Sequence, residues 1–331
     1  PGNDQNVGVK KVEANRNFAN KVWNIGRYVI NAIDRIETKA NDEPDWTLAD
    51  GWIWARLKQT VNSVNSLFEA YQYGEAGKQI YEFLWNDFAD WYVEGSKRQL
   101  AEESDRSAYT AYTLAFVLDT MLRLLHPFTP FVTEALWGYL KNACKESGLV
   151  YTPDEDWADD LMIAKWPEAM ALDGKENEYL REFGLVQDIV RAIRNVRSEY
   201  RIEPNKKLKA AMVSEELIAL LEAQKEVIAD FAHLDLDSLN VSASPIEAEG
   251  LTALVVDRVE VFLQLSSDGD DEADRERLTK ELEEAESHIK RLKALLASPF
   301  AQKAPEKVVA GERQKLADYQ ATAEKLRERL G

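Results

Sequence analysis

A single cysteine, Cys144, stands in 331 residues. With no second thiol in the chain, no internal disulfide can form, and a reducing, cytoplasmic setting is expected. Histidine is nearly as scarce: His126, His233 and His288 lie far apart, so each is read as a structural residue and no metal site is expected. There is no glycine-rich phosphate loop, no metal-spaced cluster and no nucleophile elbow. No catalytic residue is assigned. No apolar run approaches the ~20 residues that a membrane helix needs, and no secretory h-region opens the chain.

Positive charge is also in deficit, with 41 Lys and Arg against 59 Asp and Glu, a net −18. Taken whole, that balance disfavours a polyanionic partner. The distribution qualifies it. Residues 1–40 hold seven basic against four acidic residues, and residues 270–331 thirteen against fourteen. The acid is concentrated between them, and even there Arg191 to Lys209 carries seven basic residues against Glu199 and Glu203. Basic patches on an acidic body can still meet nucleic acid.

What the chain does hold is a core. Hydrophobic residues make up 45%, including nine Trp, twelve Tyr and eleven Phe, which suits two or three folded units. Three segments are expected. Residues 1–168 read as successive helices in a mainly α bundle with antiparallel neighbours. Phe18, Val22, Ile25, Val29, Ile33 and Ile36 make the apolar stripe of the first. A second runs from about Leu48 to Tyr71, and a third carries Tyr81, Trp85, Phe88 and Tyr92 at helical spacing. A fourth runs from Ser107 to His126, where Pro127 stops it, and a shorter one from Phe131 to Lys141. Residues 169–266 read as a small α/β unit: a helix from Tyr179 to Tyr200, a strand over 208–213, a helix from Ser214 to His233, a strand over 239–243, and a hairpin over 251–265 turning near Asp257-Arg258. In residues 267–331, Leu278, Leu282, Ala285, Ile289, Leu292 and Leu296 form a heptad seam. Val309, Leu316, Tyr319, Ala323, Leu326 and Leu330 form a second. Two such helices make an antiparallel coiled-coil arm roughly 40 Å long at ~1.5 Å per residue.

Since nothing points to catalysis, the informative residues are those that could bind. Beside the first helix's apolar stripe runs a polar edge of Asn17, Lys21, Asn24, Tyr28, Asn31 and Arg35. Asparagine can pair with a base edge, lysine can meet phosphate, and tyrosine offers a stacking face, so the edge suits unpaired RNA. The same spacing also suits an ordinary solvated face. Arg191, Arg194, Arg197 and Arg201 repeat along one face of the helix from Tyr179, and could grip phosphates or pair with the acidic body. On the arm, Lys290, Arg291, Lys293, Lys303 and Lys307 are the basic candidates; the alternative is an internally salt-bridged coiled coil.

These residues carry a resemblance. Pro1-Gly2-Asn3-Asp4 followed by the run from Arg16 to Asn24 resembles the stretch after the KMSKS loop in valyl-tRNA synthetases. The runs Tyr73 to Gly77 and Tyr81 to Tyr92 are similar to that family's bundle. Leu124 to Phe131 with Glu134 and Trp137 is a motif shared with the isoleucine and leucine enzymes. Ile193 to Arg197 with Pro204 narrows the choice, and Lys303-Ala304-Pro305 with Val308-Val309 resembles the valine enzyme's terminal arm. The resemblance runs from end to end of the chain.

It implies that the bundle is the anticodon-binding domain of a class I synthetase. Valine anticodons end in A-C, and the resemblance places their reading on Asn17, Lys21, Asn24 and Tyr28. It implies that the arm leans on the tRNA elbow; Arg191, Arg194, Arg197, Lys290, Arg291, Lys293, Lys303 and Lys307, read from spacing and charge, are the candidate contacts with the RNA backbone. Tyr28 stands where the family often has phenylalanine, which keeps the stacking face, and Gly311 stands where a charged residue is expected early in the second arm helix. The HIGH and KMSKS signatures are missing, so the chain should bind valine tRNA and catalyse nothing by itself. ATP and Mg would serve the full-length enzyme, and no cofactor is expected in this chain. The rival readings are the equivalent region of an isoleucyl- or leucyl-type enzyme, a protein–protein module dimerising through the arm, and a helical scaffold without a ligand. A monomer is expected.

Overall fold

The computed structural model describes residues 8–37, 46–101, 105–148, 151, 153, 157–172, 174–247, 250–265, 271–297 and 306–330. Helix α1 (Val9–Ile33) buries Val22, Ile25, Val29 and Ile33, the stripe that its spacing predicts. Ile36 is buried as well, just past the helix end. Helix α2 (Leu48–Glu69) starts with a reciprocal cap. The Thr47 hydroxyl accepts from Asp50 N, and the Asp50 carboxylate accepts from Thr47 N at 2.9 Å, which satisfies two amides that the first turn leaves orphaned. Asp50 is buried. Tyr92 donates to it at 2.6 Å and Arg106 lies 2.8 Å away, so the cap also ties three helices together.

The third helical run changes pitch along its length. It is α-helical over α3 (Tyr73–Glu82), π-helical over Phe83–Val93, and α-helical again over α4 (Glu94–Gln99). Four residues expected on one face therefore separate. Phe88 and Tyr92 are fully in the core, whereas Tyr81 is exposed and Trp85 only half-buried. The wider π turn shifts the register of the i→i−4 ladder and moves the face. Helices α5 (Asp105–Leu125) and α6 (Pro130–Ser147) complete the bundle. Helix α6 takes Pro130 in its first turn and ends on left-handed Gly148, φ 59°, the usual proline and glycine positions. Gly26 lets α1 approach α6 closely, since a Cβ there would lie 2.6 Å from Leu136.

Helix α7 (Glu176–Glu199) belongs to two bodies. On the bundle side it packs against α2: Gly51 faces Tyr179, Phe183 stacks on Trp52 at 4.5 Å, and Lys58 pairs with Glu176 at 2.9 Å. On the other side Trp91 of the π-helix meets both Phe183 and Phe231, which carries the apolar core into the α/β unit. That unit contains β1 (Lys209–Val213), α8 (Ile218–Ala223), α9 (Lys225–Ala232), β2 (Asn240–Ser242), β3 (Thr252–Val256) and β4 (Val259–Gln264). The expected helix over 214–233 is thus two short helices meeting at Gln224. The sheet order is β2-β1-β4-β3, with β1–β2 parallel and the other pairs antiparallel. The β3–β4 hairpin turns at Asp257, φ 51°, as the sequence suggests.

The arm consists of α10 (Asp271–Ala297) and α11 (Glu306–Leu330). Their orientation is antiparallel: Glu286 pairs with Arg327 at 2.6 Å, and His288 stacks on Tyr319 at 4.7 Å. The buried seam holds Ala285, Leu292, Val309 and Ala323. Leu278, Leu326 and Leu330, named in the seam, have side chains outside the described residues.

Candidate nucleic-acid interface

The polar edge of α1 exists as a surface. Asn17, Asn24, Asn31 and Arg35 are exposed, and Lys21 and Tyr28 are half-buried. Two of these positions are held by the helical run beside α1. The Lys21 ammonium donates to Asp90 Oδ1 at 2.6 Å and lies 4.6 Å above the Trp85 ring. Trp85 in turn stacks on Tyr81, and Tyr81 lies 4.6 Å from Phe18. A tier of aromatic rings therefore supports the edge. Further along, the Tyr28 hydroxyl is 3.0 Å from Ser96 Oγ, and Ser96 itself donates to Val93 O. The serine proton is thereby committed, which leaves the tyrosine as donor. Burial pushes the Tyr28 phenol above its ordinary range, so it stays neutral.

The edge ends in a cleft of about 500 Å³ between α1 and α4, lined by Tyr28, Asn31, Arg35, Lys97, Leu100 and Ser107. That volume lies within the range of small-ligand pockets. Lys97 is paired with Glu94 at 2.7 Å, so Arg35 and the Tyr28 ring are the groups there that suit a nucleotide.

The arginine row divides. Arg191 is exposed, paired with Asp188 at 2.8 Å, and 5.6 Å from the Trp91 ring. Arg194 donates to Phe231 O at 2.9 Å. Arg197 is buried, and its guanidinium donates to the carbonyls of His233, Glu203, Pro204 and Lys206. Arg201 lies beyond the helix in a left-handed conformation, φ 51°. Arg197 accordingly leaves the set of expected phosphate ligands: its donors are spent inside the protein, on loop carbonyls that no sequence spacing reveals. Arg194 is partly committed in the same way. Burial lowers the pKa of both, though arginine stays charged.

On the arm Lys290, Arg291 and Lys293 are exposed. Lys303 lies outside the described residues, and so does the side chain of Lys307 in α11. The histidines have structural surroundings: His126 bonds Thr133 at 2.9 Å, His233 caps α9 in the left-handed region, and His288 stacks in the arm. Among the described residues no group of His, Cys, Asp and Glu could hold a metal ion, and no helix is long and apolar enough to cross a membrane.

Two family models match this chain. The anticodon-binding domain of tRNA ligases matches residues 50–212, and the valyl tRNA synthetase tRNA binding arm matches residues 270–331. Among curated proteins, the valine–tRNA ligase of Carboxydothermus hydrogenoformans is 34% identical over 334 residues, covering 100% of this chain and 36% of its own length. That of Bacillus cereus is 34% identical with the same coverage. The chloroplastic/mitochondrial valine–tRNA ligase 2 of Arabidopsis thaliana is 31% identical, covering 99% of this chain and 34% of its own length.

The chain belongs to the valyl-tRNA synthetase family. It corresponds to a C-terminal region of those proteins and spans about a third of their length. The valyl-tRNA synthetase arm match coincides with the α10–α11 hairpin. The anticodon-binding match includes the π-helix and α7, while α1 lies ahead of it. Within this valyl-tRNA synthetase region, sequence reading missed Asp90, Ser96 and Lys97 as neighbours of the α1 edge. Asp90 and Ser96 lie 69 and 68 residues from Lys21 and Tyr28 in the chain, and only the packing of α1 beside the π-helix unites them.

Proposed function

We propose that this chain is the tRNA-recognition part of a valine–tRNA ligase, with the edge Asn17, Lys21, Asn24 and Tyr28 reading the anticodon. The observation that carries the reading is the position of that edge. It is solvent-facing, backed by Phe18, Tyr81 and Trp85, and continuous with a cleft bearing Arg35 and Lys97. Exposed Arg191, Lys290, Arg291 and Lys293 would contact the RNA backbone, the arm residues at the elbow of the L-shaped molecule, by phosphate and shape more than by base identity. The whole protein would join valine to its tRNA at the expense of ATP with Mg, on residues outside this chain. Buried Cys144, whose thiol is pushed up to about 12 by burial, is compatible with a cytoplasmic setting. The arm fills its seam from its own two helices, which supports a monomer.

The test is binding of the chain to a valine tRNA transcript, to the transcript with its last two anticodon bases changed, and to an unrelated tRNA, over a salt series. A loss of about 1–3 kcal/mol per altered base with a common salt slope is expected, and Lys21→Ala and Asn24→Ala should each reduce it. Equal affinity for all three RNAs would remove the anticodon assignment.

A further inference from the structure

Lys21 and Asp90 form an unusual pair for a surface. The ammonium and one carboxylate oxygen are 2.6 Å apart, and the two side chains remain 29% and 48% exposed. The lysine is fixed against the Trp85 ring, so the pair has a defined direction. Neither group is saturated. An ammonium has three donors, of which one is used here, and a carboxylate has about four acceptor positions. Among the described residues, Oδ2 of Asp90 has no hydrogen-bond partner. The pair therefore presents an acceptor beside a donor, at the distance of neighbouring hydrogen bonds, on the edge assigned to RNA.

That order has a chemical complement. On their Watson–Crick edges, adenine and cytosine place an exocyclic amino donor next to a ring-nitrogen acceptor. Guanine and uracil place a carbonyl next to an N–H, the reverse. A carboxylate facing the amino group and an ammonium facing the ring nitrogen make two charge-assisted hydrogen bonds with adenine or cytosine. For a base held in that same orientation by stacking, guanine or uracil sets carboxylate against carbonyl and ammonium against N–H, both repulsive. We propose that Asp90 and Lys21 act as one reading head that selects adenine or cytosine, whose amino group adjoins an unprotonated ring nitrogen, with Asp90 a specificity-determining residue in its own right. The inference rests on the anticodon reading above and adds to it a group from a different helix and a rule for which bases are refused.

A second reading of the same pair is that Asp90 merely neutralises Lys21 and anchors α1 to the π-helix. Three variants separate the two: Asp90→Ala, Asp90→Asn, and the exchanged pair Lys21→Asp/Asp90→Lys, which keeps the ion pair but reverses donor and acceptor. An exposed ion pair contributes little to stability, so all three should keep the helical circular dichroism and melting temperature of the parent. Each is titrated with the valine tRNA transcript and with transcripts carrying A→G or C→U at the last two anticodon positions. The parent should prefer the unaltered transcript by roughly 5- to 150-fold at the base it reads. Asp90→Ala should reduce that preference to within about threefold by weakening the unaltered transcript and relieving the repulsion that the altered ones meet, Asp90→Asn should fall between, and the exchanged pair should favour the G or U transcript. The proposal is overturned if Asp90→Ala tightens every transcript alike with a steeper salt dependence, or if the exchanged pair restores the parent's preference. A parent that shows no preference at all would defeat the anticodon reading itself, a separate outcome visible before any variant is made.

Discussion

Arg197 donates to four carbonyls, at His233 and in the loop around Glu203–Lys206, whereas Arg191 on the same helix pairs with Asp188 in the open. Removing Arg197 leaves its acceptors unsatisfied in a buried place, so Arg197→Ala should lower the unfolding free energy by about 2–4 kcal/mol, read by urea denaturation, whether or not RNA is present. Arg191→Ala should change stability by less than about 0.5 kcal/mol and instead reduce the salt slope of RNA binding by about 0.7–0.9, the share of one phosphate. Asp87 offers a test by pH. It is bonded to Arg56 at 2.9 Å, yet burial, the largest influence on it, raises its pKa above the ordinary 3.8 despite that arginine. A carboxyl with a raised folded-state pKa stabilises the fold fully below the unfolded value, and that contribution is lost as pH climbs through the folded value. Melting temperatures of Asp87→Asn relative to the parent should therefore rise as pH increases from about 3.8 upward. A flat difference across that window would show that Arg56 fully offsets the burial.

At the scale of elements, the amphipathic stripes are legible in the sequence because burial imposes a period. Val22, Ile25, Val29 and Ile33 must face inward in any helix of 3.6 residues per turn, and they do. The β3–β4 turn is legible from Asp257-Arg258 between two apolar runs. The π-helix is not, because helical spacing presumes one pitch throughout and a wider turn leaves no mark on composition. Its consequence for the candidate site is direct, since Trp85 and Asp90 reach Lys21 from it. The arginine row misleads for a related reason: spacing states which side chains share a face, not what covers that face. The arm is legible in its heptads, and its energetics follow from them. Its buried seam contains two alanines, one valine and one leucine among the described residues, far less apolar area than the bundle's Phe83, Phe88, Trp137 and Met121 provide. Backbone amides of α10 and α11 should accordingly exchange hydrogen much faster than those of α2 and α5, by mass spectrometry on the chain without RNA. Equal protection would mean that the arm is stabilised by more than its own seam.

The whole molecule carries −18 and is proposed to hold a polyanion. The two facts fit if RNA binding is focal, with an acidic body that repels nucleic acid everywhere except where cations are grouped. Replacing Lys290, Arg291 and Lys293 together by alanine should then lower the salt slope by about 0.7–0.9 for each phosphate no longer neutralised. The weakening should be equal for matched and mismatched anticodons, measured by the same titrations. A change in the ratio between them would place base reading on the arm. Three of the cations near the candidate interface share one more property: Lys21 lies over Trp85, and Arg191 and Arg194 lie near Trp91. A point charge above an indole shifts the energy of its excited state, so any ligand that draws the charge aside changes the colour of the light emitted. An optical gauge thus stands in each of these two places, one beside the polar edge of α1 and one beside α7, and the two are told apart by exchanging Trp85 or Trp91 for phenylalanine in turn.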